Sequence, residues 1–144
     1  MAVFSQDRDA LRQQYHDVWQ KMQSGQILSA LEQMIADVIV LHPEYHQLLS
    51  SPIQSGQEYF VENGETNPYL HMGLHIAVHE QISTDRPAGI VIAHQKLMAK
   101  TADPHAAEHL MIDCLAEQLW LAQQQQQPPS ETAYLRALKH LAEK

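Results

Sequence analysis

Two prolines constrain the fold of this chain more than any other feature, because each follows a helix-capping residue at the start of a long helical pattern. Pro68 follows Asn67, and Pro104 follows Asp103. Proline is favoured at the first position of a helix, where its missing N–H is not needed. Asn or Asp before it can accept hydrogen bonds from the free N–H groups of the first turn. The two pairs therefore predict helices that begin at Pro68 and Pro104.

Helical periodicity also extends before these helices. Ser5 can cap a first helix whose inward stripe includes Leu11. Ser29 and Glu32 have the spacing of a capping box and open a second helix, with Leu31 on its inward face. Further along, Pro43 allows two interpretations: a kink, or a new turn capped by the preceding histidine.

The remaining segments are predicted from turn-forming residues and from weaker helix signals. Asp85 can cap a further helix that begins just after Pro87. Residues 51–66 are rich in turn formers and predict a surface loop, and residues 123–130 form a Gln/Pro-rich connection to a short C-terminal helix capped by Ser130. We predict an all-α fold: one domain over residues 1–144, a helical bundle of about five to seven helices with antiparallel neighbours.

Composition excludes several classes of protein. The formal net charge is −8 with only nine Lys and Arg residues, so no nucleic-acid partner is expected. The most apolar run, MIADVIVL, is far shorter than the roughly 20 residues that span a bilayer, and the N-terminus lacks a signal-peptide pattern. The single cysteine, Cys114, fits a reducing compartment. We therefore expect a soluble cytoplasmic protein without a membrane partner.

Histidine spacing is the strongest functional signal. Ten histidines placed at random in 144 residues would give roughly 0.7 pairs four residues apart, whereas the sequence contains four such pairs. Residues four apart lie on one face of a helix, where two imidazoles can bind the same ion. The pairs are His42/His46, His71/His75, His75/His79 and His105/His109.

Helical-wheel positions indicate which side chains face the interior. Taking His71 as zero, His75 lies at about 40° among apolar residues and His79 at about 80°, at the edge of the stripe, so the role of His79 stays open. On the later helix, His105 and His109 belong to the central stripe. Asp113 lies at about 80° from His105 and Glu117 at about 120°, which makes both candidate ligands.

The histidines of the chain allow two other interpretations. A single histidine on an apolar face is usually a hydrogen-bonded core residue, and we assign that role to His16, His94 and His140, which have no partner at helical spacing. HAAEH, from His105 to His109, matches the pattern of inverted zinc proteases, whose glutamate is a general base. Those enzymes are far larger and need a distant third ligand, so we do not adopt this interpretation.

Three sequence blocks, LHPEYH, GETNPYLHMGLHIAVHEQISTDRPAGI and DPHAAEHLMIDCLAEQLWLAQ, resemble the bacterial family named domain of unknown function 1841. The similarity covers nearly the whole chain. The resemblance implies a small bacterial protein, and the family supplies no established activity. Its motif positions correspond here to His42, His46, Asn67, Pro68, His71, His75, Glu80, Gln81, His105, His109 and Glu117.

Two hypotheses for the function follow from the sequence. In the first, a helical bundle binds one or two transition-metal ions, Zn, Fe, Ni or Mn, as a metal-dependent hydrolase or an iron protein with an unknown small-molecule substrate. The candidate ligands are His71, His75, His105, His109, Asp113, Glu117, His42 and His46. The alternative is a metal-free interaction or scaffold protein, a homodimer with structural core histidines. The sequence leaves open whether the chain is an enzyme.

Overall fold

The computed structural model describes residues 2–60 and 66–144, and this part of the chain is helical without any strand. The predicted all-α fold class is confirmed. Seven α-helices and one short 3-10 turn follow one another along the described residues: α1 (Ala2–Gln23), α2 (Ala30–Val40), the 3-10 turn (Pro43–Tyr45), α3 (His46–Ser50), α4 (Pro68–Thr84), α5 (Ile90–Thr101), α6 (Pro104–Gln125) and α7 (Glu131–Glu143).

The two asparagine- and aspartate-capped helices begin where the sequence predicts. The Asn67 Oδ1 atom accepts hydrogen bonds from the backbone N–H groups of Tyr69 and Leu70, both at 3.1 Å. The Asp103 carboxylate accepts one from the His105 N–H at 3.0 Å. These side chains satisfy first-turn donors that have no partner within the helix. The positions of the histidines on α4 and α6 are therefore fixed by local signals.

Other predicted caps are present too. The capping box of α2 is complete, with the Ser29 side chain accepting from Glu32 N–H and the Glu32 carboxylate accepting from Ser29 N–H. Ser130 caps α7. The Asp85 carboxylate accepts from the N–H groups of Gly89 and Val91, so it caps α5 from outside the helix.

Three predictions about the first two helices are wrong. Ser5 lies within α1 and does not cap it, because the residues before it contain no helix breaker and the helix begins at Ala2. Leu11 is 62% exposed, since the adjacent Arg12 occupies the buried face of α1 instead. Leu31 is 54% exposed and lines an open surface cavity together with Trp19.

The chain divides into two compact units, Met1–Gly73 and Leu74–Lys144. In the first unit, α1 packs against α2 and α3. Trp19 donates a hydrogen bond to the Ser50 hydroxyl at 2.8 Å, and its ring lies 4.4 Å from the ring of His46. Arg12 is buried beneath the rings of Tyr59 and Tyr69 and donates to a backbone carbonyl. The principal buried apolar residues of this unit are Val18, Ile35, Val38, Ile39, Leu49 and Met72.

In the second unit, α5, α6 and α7 all pack against one another. The Tyr134 hydroxyl on α7 donates a hydrogen bond to the Gln81 side chain on α4 at 2.8 Å, and this bond links α7 to α4. The buried apolar core of this unit consists of Val78, Ile90, Leu97, Ala107, Met111, Ile112, Cys114, Tyr134 and Leu138.

The connecting segments can be compared with their predictions only in part. Residues 51–60 and 66 contain neither helix nor strand, whereas residues 61–65 of the predicted loop lie outside the described residues. The single domain stays a prediction. Within residues 2–60 and 66–144, none of the helices combines the length and apolar content needed to cross a bilayer.

Candidate metal centre

Three histidines lie one turn apart along α4, at positions 71, 75 and 79. The first of them belongs to the first compact unit and the other two to the second. The His75 side chain is completely buried, whereas that of His79 is 32% exposed. The second unit therefore presents two imidazoles from a single helix face, one in the interior and one reaching solvent.

A carboxylate from α6 meets both imidazoles. The Glu108 Oε1 atom accepts a hydrogen bond from His75 Nε2 at 2.9 Å and a second one from His79 Nε2. The Glu108 side chain is only 13% exposed. One ligand atom from each of these three residues lies within 4.8 Å of the others, which is close enough for all three to hold one metal ion. We call His75, His79 and Glu108 the histidine–glutamate cluster.

The ionisation state of Glu108 is the one that a metal ligand requires. Burial raises the pKa of this carboxyl group, but hydrogen bonds from His75 and His79 outweigh burial and hold the pKa well below its usual range. The carboxylate is therefore ionised near neutral pH, in the form that binds a metal cation.

Two further imidazoles surround the buried member of the cluster. The ring centroid of His75 lies 5.8 Å from that of His105 and 5.6 Å from that of His109. The His105 and His109 rings are 4.1 Å apart. His75 thus lies in ring contact with the histidine pair on α6, within one compact unit, and the role of these residues as metal ligands stays a prediction.

The remaining predicted histidine ligands lie in the first unit. His71 and His42 face each other with their Nε2 atoms 3.1 Å apart. The fully buried His42 donates from Nδ1 to the Val38 carbonyl at 2.8 Å, which leaves its Nε2 lone pair directed at His71. His46 donates from Nε2 to the carbonyl of Ile39 at 2.9 Å, so only its Nδ1 could bind an ion in this arrangement.

The two acidic residues favoured by the sequence are placed differently from Glu108. Asp113 and Glu117 are both exposed on α6. Neither belongs to a group of three or more described residues whose ligand atoms lie within 4.8 Å of one another. Their role as metal ligands stays a prediction.

Sequence reasoning did not select Glu108 and left His79 open, although a signal existed for both. On the wheel of α6, Glu108 lies at about −60° from His105, at the opposite edge of the stripe from Asp113. The wheel alone therefore offers two carboxylates at similar distances from the stripe. Which edge meets α4 depends on tertiary packing, and that packing brings Glu108 to His75 and His79.

The histidines assigned to structural roles separate into different cases. His16 is buried and lies 2.8 Å from the Tyr69 hydroxyl through Nε2, as expected for a core histidine. His140 is exposed on α7. His94 on α5 is different, because its buried Nε2 atom has no hydrogen-bond partner among the described residues. Burial lowers the pKa of His94, and the charges of Glu108 and His79 also act on it.

Comparison with known protein families gives a match over most of the chain. The sequence model of a family described as Domain of unknown function (DUF1841) matches residues 7–140. The match extends over both compact units and includes every residue of the histidine–glutamate cluster. Neither the curated proteins nor the solved structures contain a match.

Proposed function

The chain belongs to this family of unknown function, and we propose that it binds a transition-metal ion through His75, His79 and Glu108. The observation that carries the proposal is the convergence of three ligand atoms from two helices. Two of them lie on consecutive turns of α4, and the third lies on α6.

The spacing of the ligand atoms supports this proposal. Metal–nitrogen and metal–oxygen bonds of about 2.1 Å at a right angle place the two ligand atoms about 3.0 Å apart. The His75 Nε2 and Glu108 Oε1 atoms lie 2.9 Å apart. An ion could therefore take the place of the shared proton after small side-chain shifts, with both imidazoles neutral.

The donor set narrows the choice of ion. Two imidazoles and one carboxylate suit Zn, Fe, Ni or Mn, which are the ions expected from the sequence. Three protein ligands leave further coordination positions for water or a small molecule, as in catalytic metal sites rather than closed structural ones. Such a site can activate water for hydrolysis or, with iron, bind dioxygen.

Two of the other predicted ligands are proposed as additions to this cluster. His105 and His109 lie beside His75 and are the first candidates for a further ligand or a second ion. His42, His46, His71, Asp113 and Glu117 also stay proposed ligands.

A metal-free role is the second candidate, because the same cluster already forms a hydrogen-bonded network. A single carboxylate that accepts from two imidazoles satisfies its buried oxygen without an ion. In this reading the cluster joins α4 to α6 and stabilises the fold of a scaffold protein.

Elemental analysis distinguishes the two candidates. Untagged protein, purified without a nickel column, is analysed by plasma mass spectrometry beside His79→Ala, Glu108→Gln and His140→Ala variants. We expect about one equivalent of Zn, Fe, Ni or Mn in the native protein and in the His140→Ala control, because His140 is exposed on α7. Both cluster variants should lose most of this metal.

His79 is substituted rather than His75 because the His79 ring is partly exposed, so its removal leaves a smaller cavity in the core. Native protein that contains no such ion, and that takes up none when the four ions are added, would favour the metal-free network. Equal metal content in all four proteins would locate the ion away from the cluster.

A further inference from the structure

His94 on α5 carries an unsatisfied polar atom. Its Nε2 is buried, and no described residue forms a hydrogen bond with it. A buried polar atom without a partner costs free energy, so such atoms in native proteins call for an explanation. A bound ligand that supplies the missing partner is one such explanation.

The position of His94 connects it with the cluster. The residue lies on α5, and α5 packs against α6, which carries Glu108. The charges of Glu108 and His79 both act on the His94 imidazole. His94 nevertheless falls outside the group of three whose ligand atoms lie within 4.8 Å of one another, so it lies within range of the charges of the cluster without being part of it.

We propose that His94 donates a hydrogen bond from Nε2 to a small anion bound at the open coordination position of the metal held by His75, His79 and Glu108. This inference rests on the proposed metal site. With two neutral imidazoles and one carboxylate, a divalent ion retains one positive charge, which favours an anionic ligand such as hydroxide or a carboxylate. The His94 N–H adds a directed donor from beyond the metal ligands.

The assignment differs from that of a fourth metal ligand. A ligand contributes a lone pair to the ion, and its removal weakens metal binding itself. A donor to the exogenous anion contributes its N–H, and its removal weakens anion binding while the affinity for the ion is retained. Measuring the affinity for the ion and the affinity for the anion separately therefore distinguishes the two roles.

Cobalt(II) and azide are suitable probes, because the visible absorption of bound cobalt reports both the ion and its exogenous ligand. Native protein, His94→Ala and His94→Gln are each titrated with cobalt(II) and then with sodium azide, and circular dichroism checks that each is folded. We expect His94→Ala to bind cobalt within about twofold of native affinity and azide about tenfold more weakly. Glutamine, whose amide N–H can replace the imidazole donor, should restore part of the azide affinity.

The other outcomes are also decisive. Equal azide affinity in the native protein and His94→Ala would overturn the proposal. A parallel loss of cobalt affinity would also overturn it, because His94 would then be a metal ligand. Native protein that binds no cobalt would instead contradict the proposed metal site. If His94→Ala does not fold, His94→Phe replaces it as the variant without a donor, and an azide affinity equal to that of native protein again overturns the proposal.

Discussion

Glu108 accepts hydrogen bonds from two imidazoles through a single oxygen. The strength of these contacts therefore depends on whether its carboxyl group is ionised. Its folded-state pKa lies well below the reference value of 4.5, because the hydrogen bonds of His75 and His79 outweigh the effect of burial. A depressed carboxyl pKa contributes stability above the unfolded-state pKa. That contribution is lost as the pH falls through the folded-state pKa.

In the metal-free protein, we therefore expect Glu108→Gln to lower the free energy of unfolding at pH 7 by about 1–3 kcal/mol. The difference from native protein should persist at about pH 5 and shrink at about pH 3, below the unfolded-state pKa. Urea denaturation in the presence of a chelator measures it. Glu117→Gln, an exposed change on the same helix, should alter stability by less than about 0.5 kcal/mol. A Glu108→Gln protein as stable as native at neutral pH would contradict the prediction.

At this scale the sequence could identify some of the side chains that lie in the candidate site but not all of them. His75, His105 and His109 were predictable because four-residue spacing on an apolar stripe is a local property. Glu108 was not, because Asp113 lies at a comparable distance from the stripe on its other side. Only the packing of α6 against its neighbours decides between the two carboxylates.

The same division holds for whole helices. Starts were predictable where a cap is encoded locally, as at Asn67, Asp103 and Ser29. Inward faces were predicted less well, because Leu11 and Leu31 are exposed while the polar Arg12 is buried. Arg12 is retained in the interior by a backbone carbonyl and two aromatic rings, which are partners distant in sequence.

The capping box of α2 provides a test at the scale of a helix. Ser29→Ala removes the acceptor for the Glu32 N–H, so we expect the free energy of unfolding to fall by about 1 kcal/mol. Ser29→Asp retains a side-chain acceptor at the same position and should recover most of the loss. Urea denaturation at neutral pH compares the three proteins. Indistinguishable stabilities of native protein and Ser29→Ala would show that the cap contributes little.

For the molecule as a whole, the proposed ion links binding to stability. A ligand that binds only the folded state at about 100 times its Kd adds roughly 2.7 kcal/mol to the free energy of unfolding. For a chain of this size that corresponds to a rise in Tm of roughly 10 °C. Thermal melts with and without Zn, Fe(II), Ni or Mn measure the shift for each ion.

The matched variants make this shift specific. His140→Ala should show the full rise in Tm, whereas His79→Ala should show little, because only the second change removes a cluster ligand. A rise of the same size in both variants would mean that the ion acts elsewhere on the chain. The family match extends over residues 7–140, so the full chain is the appropriate protein for these melts.

The two tryptophans make the intrinsic fluorescence of this chain a two-part signal. Trp120 lies in the second unit and is 59% exposed, so its emission is that of an indole largely in water. Trp19 lies in the first unit, with its ring tilted against that of His46 at a centroid distance of 4.4 Å. An imidazole in contact with an excited indole can quench its emission, so the emission intensity of Trp19 reports on whether α1 and α3 remain packed together. The wavelength and the intensity of the emission thus report on different units of one unlabelled protein.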